Sequence, residues 1–326
     1  MNVLVTGGAG YIGSHLLRAL AAAGHECTAY DNLSAGHAQA VGAARLIVGD
    51  VTDAAALSIA MRDHRVEAVV HLAAVIEAGE SVEKPGKYYR TNTVGGLTLL
   101  EAMRQAGVAK MVFSSTAAVY GDPERVPIEE DDRTHPINPY GASKLAVERM
   151  LPGFAAAHGM GFVSLRYFNV AGAAPGGDIG EDHTPETHLI PLVLQVPLGR
   201  RESVRIFGDD YDTPDGTCIR DYIHVMDLAA AHVLALEAIR PGEVKVYNLG
   251  NGEGFSVKQV IQTCREVTEH AVPAEVARRR PGDAPRLIAS SKRAAAELNW
   301  KPRSPDLRAI VADAWAWHQS HPRGYS

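Results

Sequence analysis

Cysteine is scarce: Cys27, Cys218 and Cys264 are the whole complement of a 326-residue chain, and they stand far apart in sequence. Three scattered thiols cannot build a disulfide framework or a cysteine-based zinc site, so a reducing cytoplasmic setting is expected. Long hydrophobic runs are missing too. None approaches the roughly 18 apolar residues a membrane span needs, and Met1-Asn2-Val3-Leu4-Val5 reads as a first strand rather than the basic leader of a signal peptide. Positive charge is in deficit: 32 Lys and Arg against 38 Asp and Glu leave a net charge of −6, the wrong sign for an electrostatic nucleic-acid binder. Repeats at solenoid periods and low-complexity tracts are absent. What remains is an ordinary globular balance, 46% apolar and 21% charged, in a chain long enough for about two domains.

Short β-branched runs alternate with helix-period segments over the first hundred residues, the pattern of βαβ units and a parallel sheet covered on both faces. Strands are expected at Asn2–Thr6, Glu26–Tyr30, Ala44–Val48, Ala68–Leu72, Lys110–Ser114, Phe162–Arg166 and Val244–Leu249, with a helix at Ile223–Leu236. Ile12, Leu16, Leu17 and Leu20 share one face of a first helix that Gly24 ends. Pro123, Pro127, Pro136 and Pro139 forbid a long helix and predict an irregular loop before a helix resumes near Tyr140. The texture turns to glycine and proline from Gly172, which places a domain boundary near there. The fold class expected is α/β, a doubly wound parallel sheet over residues 1–169, rejoined by about 217–249, with a smaller mixed α/β domain over 170–326.

Gly7, Gly10 and Gly13 fall between the first strand and the first helix, in the run Gly7-Gly8-Ala9-Gly10-Tyr11-Ile12-Gly13. In that context the spacing is a Rossmann dinucleotide fingerprint: a tight turn, a backbone that can approach a pyrophosphate, and close helix packing, with free N–H groups at the helix start. Asp31, 18 residues beyond Gly13 at the end of the second strand, suits a ribose 2′-hydroxyl and repels a 2′-phosphate, which favours NAD over NADP. Asp50 after the third strand reads equally as a turn former or an adenine contact. No Walker lysine follows the glycines, so a phosphate-hydrolysing loop is excluded in this segment.

Tyr140 and Lys144 are one helical turn apart, so both side chains share a face and the ammonium is expected near the phenol. A nearby cation favours phenolate, turning an ordinarily protonated tyrosine into a usable base. Ser114, Ser115 and Thr116 end the fifth strand at the carboxyl edge of the sheet, where open α/β folds place ligands. One or two of these hydroxyls are expected to satisfy loop backbone instead.

The glycine run, the Tyr-x-x-x-Lys pair and the hydroxyl strand together resemble the extended short-chain dehydrogenase/reductase family. The stretches Gly79–Pro85, Leu165–Asn169, Arg220–Asp227, Tyr247–Gly250 and Glu297–Trp300 are similar to its nucleotide-sugar epimerases over nearly the whole chain. The resemblance implies Tyr140 as base, Lys144 as its supporting cation and Thr116 as hydroxyl partner. It implies cofactor contacts from Gly7, Gly10, Tyr11, Ile12, Gly13, Asp31, Asn32, Asp50, Val51, Leu72, Ala73, Ala74, Asn92, Ser114 and Tyr167 besides the pair itself. Thr116, Tyr140, Asn169, His188, Leu189, Phe207, Arg220, Tyr222, Arg280 and Asp283 would face a UDP-sugar, with two guanidiniums on a diphosphate and an aromatic ring on uracil. Of the run Arg278-Arg279-Arg280, the other two arginines read as solvated loop.

The reaction implied is inversion at C4 of a UDP-hexose through a 4-keto sugar, with tightly bound NAD and a homodimer joined through two helices of the first domain. Two alternatives stand beside it. A 4,6-dehydratase or decarboxylase needs an acid directly after the active-site hydroxyl, where this chain has Ala117 and Ala118. A non-catalytic dinucleotide-binding regulator predicts a broken Tyr-Lys pair, and the pair is intact. Departures from the family pattern fall at Ile76, at Thr187-His188-Leu189-Ile190-Pro191 and at Leu287, which leaves the preferred sugar open. His183 and His188 lack the helical spacing and glutamate of a zinc-site motif and read as loop or packing residues; no metal is expected.

Overall fold

The computed structural model describes residues 1–280 and 283–325. Its first half runs β1 (Asn2–Thr6), α1 (Tyr11–Ala22), β2 (Glu26–Asp31), β3 (Arg45–Val48), α2 (Ala54–Asp63), β4 (Ala68–His71), α3 (Ala78–Glu83), α4 (Pro85–Tyr88), α5 (Gly95–Ala106), β5 (Lys110–Ser114), α6 (Pro139–His158) and β6 (Gly161–Tyr167). The second half adds β7 (Asn169–Ala171), α7 (Leu189–Leu194), β8 (Val204–Phe207), β9 (Ile219–Arg220), β10 (Tyr222–His224), α8 (Val225–Ala238), β11 (Val244–Leu249), β12 (Phe255–Ser256), α9 (Val257–Thr268), β13 (Ala274–Ala277), β14 (Arg286–Leu287), α10 (Lys292–Leu298) and α11 (Leu307–Ser320).

Seven strands form one parallel sheet in the order β11-β6-β5-β4-β1-β2-β3. The alternation along β1 shows why both faces must be covered. Val3 and Val5 join a core with Leu16, Leu17 and Leu20 of α1 and Leu228, Ala231 and Leu236 of α8. Leu4 points the other way, into a core with Leu57 and Met61 of α2, Leu99 and Met103 of α5 and Val147 and Leu151 of α6. Each such side chain, fully buried, contributes roughly 1.5–3 kcal/mol of transfer free energy. Residues 244–249 thus return to the sheet beside β6 from the far half of the chain.

The remaining strands make small sheets, β10-β7, β12-β9-β14 and β13-β8, over a separate core that gathers Ile190, Val193, Ile206, Val260, Ile261, Ile310 and Val311. Between Ser114 and Pro139 the only helical piece is the short turn Ala117–Val119, in keeping with the proline density there. One expectation needs correcting. Tyr222, Ile223 and His224 pair with β7 as a strand, and α8 begins at Val225, where the His224 imidazole Nδ1 accepts the Met226 N–H at 3.1 Å and caps the helix. The apolar run alone cannot place that switch from strand to helix.

Candidate active site

The glycine loop is built as its spacing requires. Gly7 has φ +73°, and a Cβ there would stand 2.6 Å from the Ala73 nitrogen; a Cβ on Gly13 would stand 2.1 Å from the Gly7 carbonyl oxygen. Only glycine permits either approach. Gly10 caps α1 with extended backbone, and a Cβ there would meet nothing nearer than 3.4 Å, which leaves the helix start open to an approaching anion. Tyr11 donates its phenol to the Gly172 carbonyl at 2.7 Å, and Ile12 packs on the α1–α8 core. Asp31 is buried, each oxygen fixed by one amide: Ala9 N–H at 3.0 Å and Leu33 N–H at 2.8 Å. Asn32 donates to Asp50 at 2.9 Å, and Thr52 hydrogen-bonds hold Asp50 below the usual carboxylate range. The loop, the acid that ends β2 and the acid after β3 line one carboxyl edge, a donor and acceptor set that fits a dinucleotide.

Other expected cofactor contacts act mainly as framework. Val51 lies in the core, so only its backbone is available. Leu72 and Ala73 N–H groups both donate to the Thr6 carbonyl, at 2.9 and 3.0 Å, and Ala74 follows them past the end of β4. Asn92 spends its amide on the Val75 backbone, at 2.9 and 3.0 Å, and on the Ser143 hydroxyl at 2.9 Å. Ser114 and Tyr167 share a short hydroxyl–hydroxyl hydrogen bond.

At the chemical end, Asn138 caps α6 by accepting the Gly141 N–H at 2.9 Å, with Pro139 in the first turn. A Cβ on Gly141 would lie 2.4 Å from the Ala118 carbonyl oxygen, so glycine lets α6 abut the turn after Thr116. That contact sets the Tyr140 phenol close enough to the Thr116 hydroxyl to feel its polarity. Burial pushes the Tyr140 pKa up, against a downward pull from the Thr116 hydrogen bond, and Glu77 raises it further. Lys144 departs from expectation: its ammonium donates to the Ser114 carbonyl at 2.9 Å and sits over the Phe113 ring at 5.1 Å, rather than on the phenol. Burial lowers it to about 7. Ser115 is drawn away into a hydrogen bond with Glu148, leaving Thr116 as the hydroxyl at Tyr140.

On the second unit, the Arg280 guanidinium lies 3.9 Å from the Phe207 ring centroid, and Arg220 donates to Asp283 at 2.6 Å. Register puts Leu287 directly across from Arg220, with Asn169 across from Tyr222. A cavity of about 410 Å³ is bordered by Arg280, Asp283, Tyr211, Ile137 and Asp122. A second cavity, about 260 Å³, opens beside Asn2, Arg45 and Asp63 at the opposite, amino edge of the sheet, away from these residues. One expectation fails here. Tyr222 is buried in the apolar core of the second unit, because alternation along β10 turns it inward. Arg279 stays exposed, as expected of a solvated loop, 4.1 Å over Tyr211 and 2.6 Å from the exposed Asp210.

Sequence reasoning missed two groups. Glu148, Arg166, Tyr120, Asn248 and Glu130 form a buried polar network behind the site; a buried charge pair leaves no periodic signal. Glu181, His183, Glu186 and His188 are drawn into one cluster at the N-cap of α7, which begins with Leu189. The helical spacing of a known zinc motif is a poor guide to ligands carried on a loop.

A Rossmann sheet with an open glycine loop and a tyrosine–threonine pair at its carboxyl edge defines a dinucleotide-dependent enzyme of the Tyr-x-x-x-Lys type. Residues 3–250 match the model of the NAD dependent epimerase/dehydratase family. The chain is 54% identical over 327 residues to a UDP-glucose 4-epimerase of Halalkalibacterium halodurans, covering 100% of this chain and 98% of that one. It superposes on a crystal structure of UDP-glucose 4-epimerase with a TM-score of 0.97 at 51% identity, all of both chains covered. A structure of UDP-glucose 4-epimerase from Bifidobacterium longum in complex with NAD+ and UDP gives 0.95 at 39% identity, again over 100% of each. The chain belongs to the NAD dependent epimerase/dehydratase family.

Proposed function

We propose that the protein is an isomerase that inverts C4 of UDP-glucose and UDP-galactose, with NAD as its cofactor. The observation that carries this is the Tyr140–Thr116 pair at the carboxyl edge of the glycine-loop sheet, in a chain whose second unit carries the Arg220–Asp283 and Arg280–Phe207 pairs. The Gly7–Gly13 amides would hold the pyrophosphate of NAD, Asp31 a ribose and Asp50 the adenine side. When bound, NAD supplies the acceptor and then the donor of the C4 hydride, and its positive ring favours the phenolate. Tyr140 removes the C4 hydroxyl proton and returns it after the sugar has turned over, while the Thr116 hydroxyl donates to the phenolate oxygen. Arg220 and Arg280 grip the diphosphate, Phe207 lies on the uracil and Asp283 takes a ribose hydroxyl. Firm nucleotide contacts leave the hexose free to present either face. Ala117 and Ala118, beside the base, supply no acid for elimination at C5 and C6.

We infer further that the substrate unit is a discontinuous domain, that two copies associate through helices of the first unit, and that the protein works in a reducing compartment. All three cysteines are free and buried, and no helix among the described residues is long and apolar enough to cross a membrane. The decisive experiment incubates purified protein with UDP-galactose and other UDP-sugars without added NAD and follows products by NMR. UDP-glucose must form from UDP-galactose; loss of the C6 oxygen or of carbon dioxide, or no reaction with added NAD, overturns the reading.

A further inference from the structure

The loop Glu181–His188 folds so that four side chains meet at one point. The His183 Nδ1 lies 3.1 Å and the His188 Nδ1 2.5 Å from the same Glu181 Oε1. The same two nitrogens lie 3.9 and 3.7 Å from the two oxygens of Glu186. One ligand atom from each of the four residues falls within 4.8 Å of all the others. Tetrahedral zinc with bonds of about 2.0–2.2 Å sets its ligands roughly 3.3–3.5 Å apart, so three of these four distances need to change by about 0.2–0.6 Å, and the widest separation in the set, up to 4.8 Å, must close. The 2.5 Å pair must open. Two neutral imidazoles and two carboxylates carry two negative charges, the complement of a divalent ion.

We propose that Glu181, His183, Glu186 and His188 form a binding site for a divalent transition-metal ion of the zinc class. The donor set decides the class: two imidazole nitrogens disfavour magnesium and calcium, and the four-residue N2O2 shell suits zinc. Four protein ligands close the shell, which makes the ion structural rather than a Lewis acid for substrate. Its second shell is present already. The Trp317 indole N–H donates to the Glu181 main-chain carbonyl at 3.1 Å, fixing the backbone under that ligand, and the Glu186 carboxylate accepts the Thr187 and His188 backbone amides at 2.7 and 2.8 Å. The His183 ring stands edge-on to Tyr11, the first residue of α1, at 6.3 Å. Thr187 donates to Glu77 at 2.9 Å. The ion therefore clips the segment leading into α7 to the start of the glycine-loop helix, and holds one wall of the site in place.

The test uses the full chain without a histidine tag, stripped on a chelating resin, then titrated with Zn2+ or Co2+ and desalted. Elemental analysis is expected to find about one zinc per chain, cobalt to give the intense visible band of a tetrahedral complex, and zinc to raise the thermal midpoint. His183→Ala should lose at least tenfold in zinc affinity, while His158→Ala at the exposed end of α6 keeps wild-type binding. If His183→Ala does not fold, Glu186→Gln serves in its place. Substoichiometric zinc in the wild type, a pale octahedral cobalt spectrum, or unchanged affinity in the His183 or Glu186 variant would each overturn the proposal.

Discussion

Burial raises the proton affinity of the Tyr140 phenol, against the pull of Thr116 and with a further push from Glu77. Removing its oxygen removes the base and little else: Tyr140→Phe is expected to keep the wild-type thermal midpoint and lower turnover by roughly 10²-fold or more, the size of a general-base effect. Assayed turnover within a few-fold of wild type would remove the phenol from the mechanism. Lys144 gives a second test, through its charge. Burial depresses it from 10.5 to about 7, so between those values the unfolded chain binds a proton that the folded chain has released, and stability rises with pH across that window. Lys144→Met should therefore melt no lower than wild type at pH 7, lose the part of the pH 7–10 rise that this group causes, and lose activity. An equally steep rise in the variant would refute the sign. That Tyr140 and Lys144 stand one turn apart on a helix was legible from the period; the ammonium's hydrogen-bond partner was not, because the Ser114 carbonyl reaches it through the sheet, 30 residues away.

Elements were legible where the physics is local. The strands at Asn2–Thr6, Lys110–Ser114 and Val244–Leu249 coincide with those expected, since short apolar, β-branched runs are flanked by turn signals. The small sheets were not legible: β9, β12 and β14 have two residues each, too few for any periodicity, and only tertiary partners make them strands. Close approach between elements leaves a clue in glycine, yet the sequence cannot say which glycine is structural. Helix α6 makes the distinction measurable. Gly141→Ala drives a methyl to 2.4 Å from the Ala118 carbonyl, backbone against backbone, whereas Gly153→Ala in the same helix meets nothing within 4 Å. The first should cost about 1–3 kcal/mol in urea unfolding and lower turnover at least tenfold by shifting Tyr140 from Thr116. The second should stabilise the helix by roughly 0.5–1 kcal/mol with activity kept. Equal effects at the two positions would detach α6 packing from the geometry of the base.

At the scale of the whole molecule, the first and second halves of the chain are tied together behind the base by a buried polar network. Arg166 on β6 reaches Glu148 on α6 at 2.5 and 3.0 Å, and the Tyr120 hydroxyl at 2.9 Å. Tyr120 donates onward to Asn248 on β11 at 2.7 Å, whose amide N–H donates to Glu130 at 2.8 Å. The proline-rich loop, the central sheet and its last strand therefore share one buried network, with both members of the central ion pair 7% exposed. Two opposed charges taken from water cost much of what their attraction returns, so the intact pair adds little net stability, but leaving one charge alone is expensive. Glu148→Gln strands the Arg166 guanidinium and should destabilise the fold by about 3–5 kcal/mol, and loosen Thr116 through the freed Ser115. The double variant Glu148→Leu with Arg166→Met removes both charges together, and is expected to recover most of that loss in chemical denaturation. Recovery of stability without recovery of turnover would assign the pair to aligning the Thr116 turn against α6; a double variant no more stable than Glu148→Gln would show instead that the charges hold β6 against α6 by their attraction.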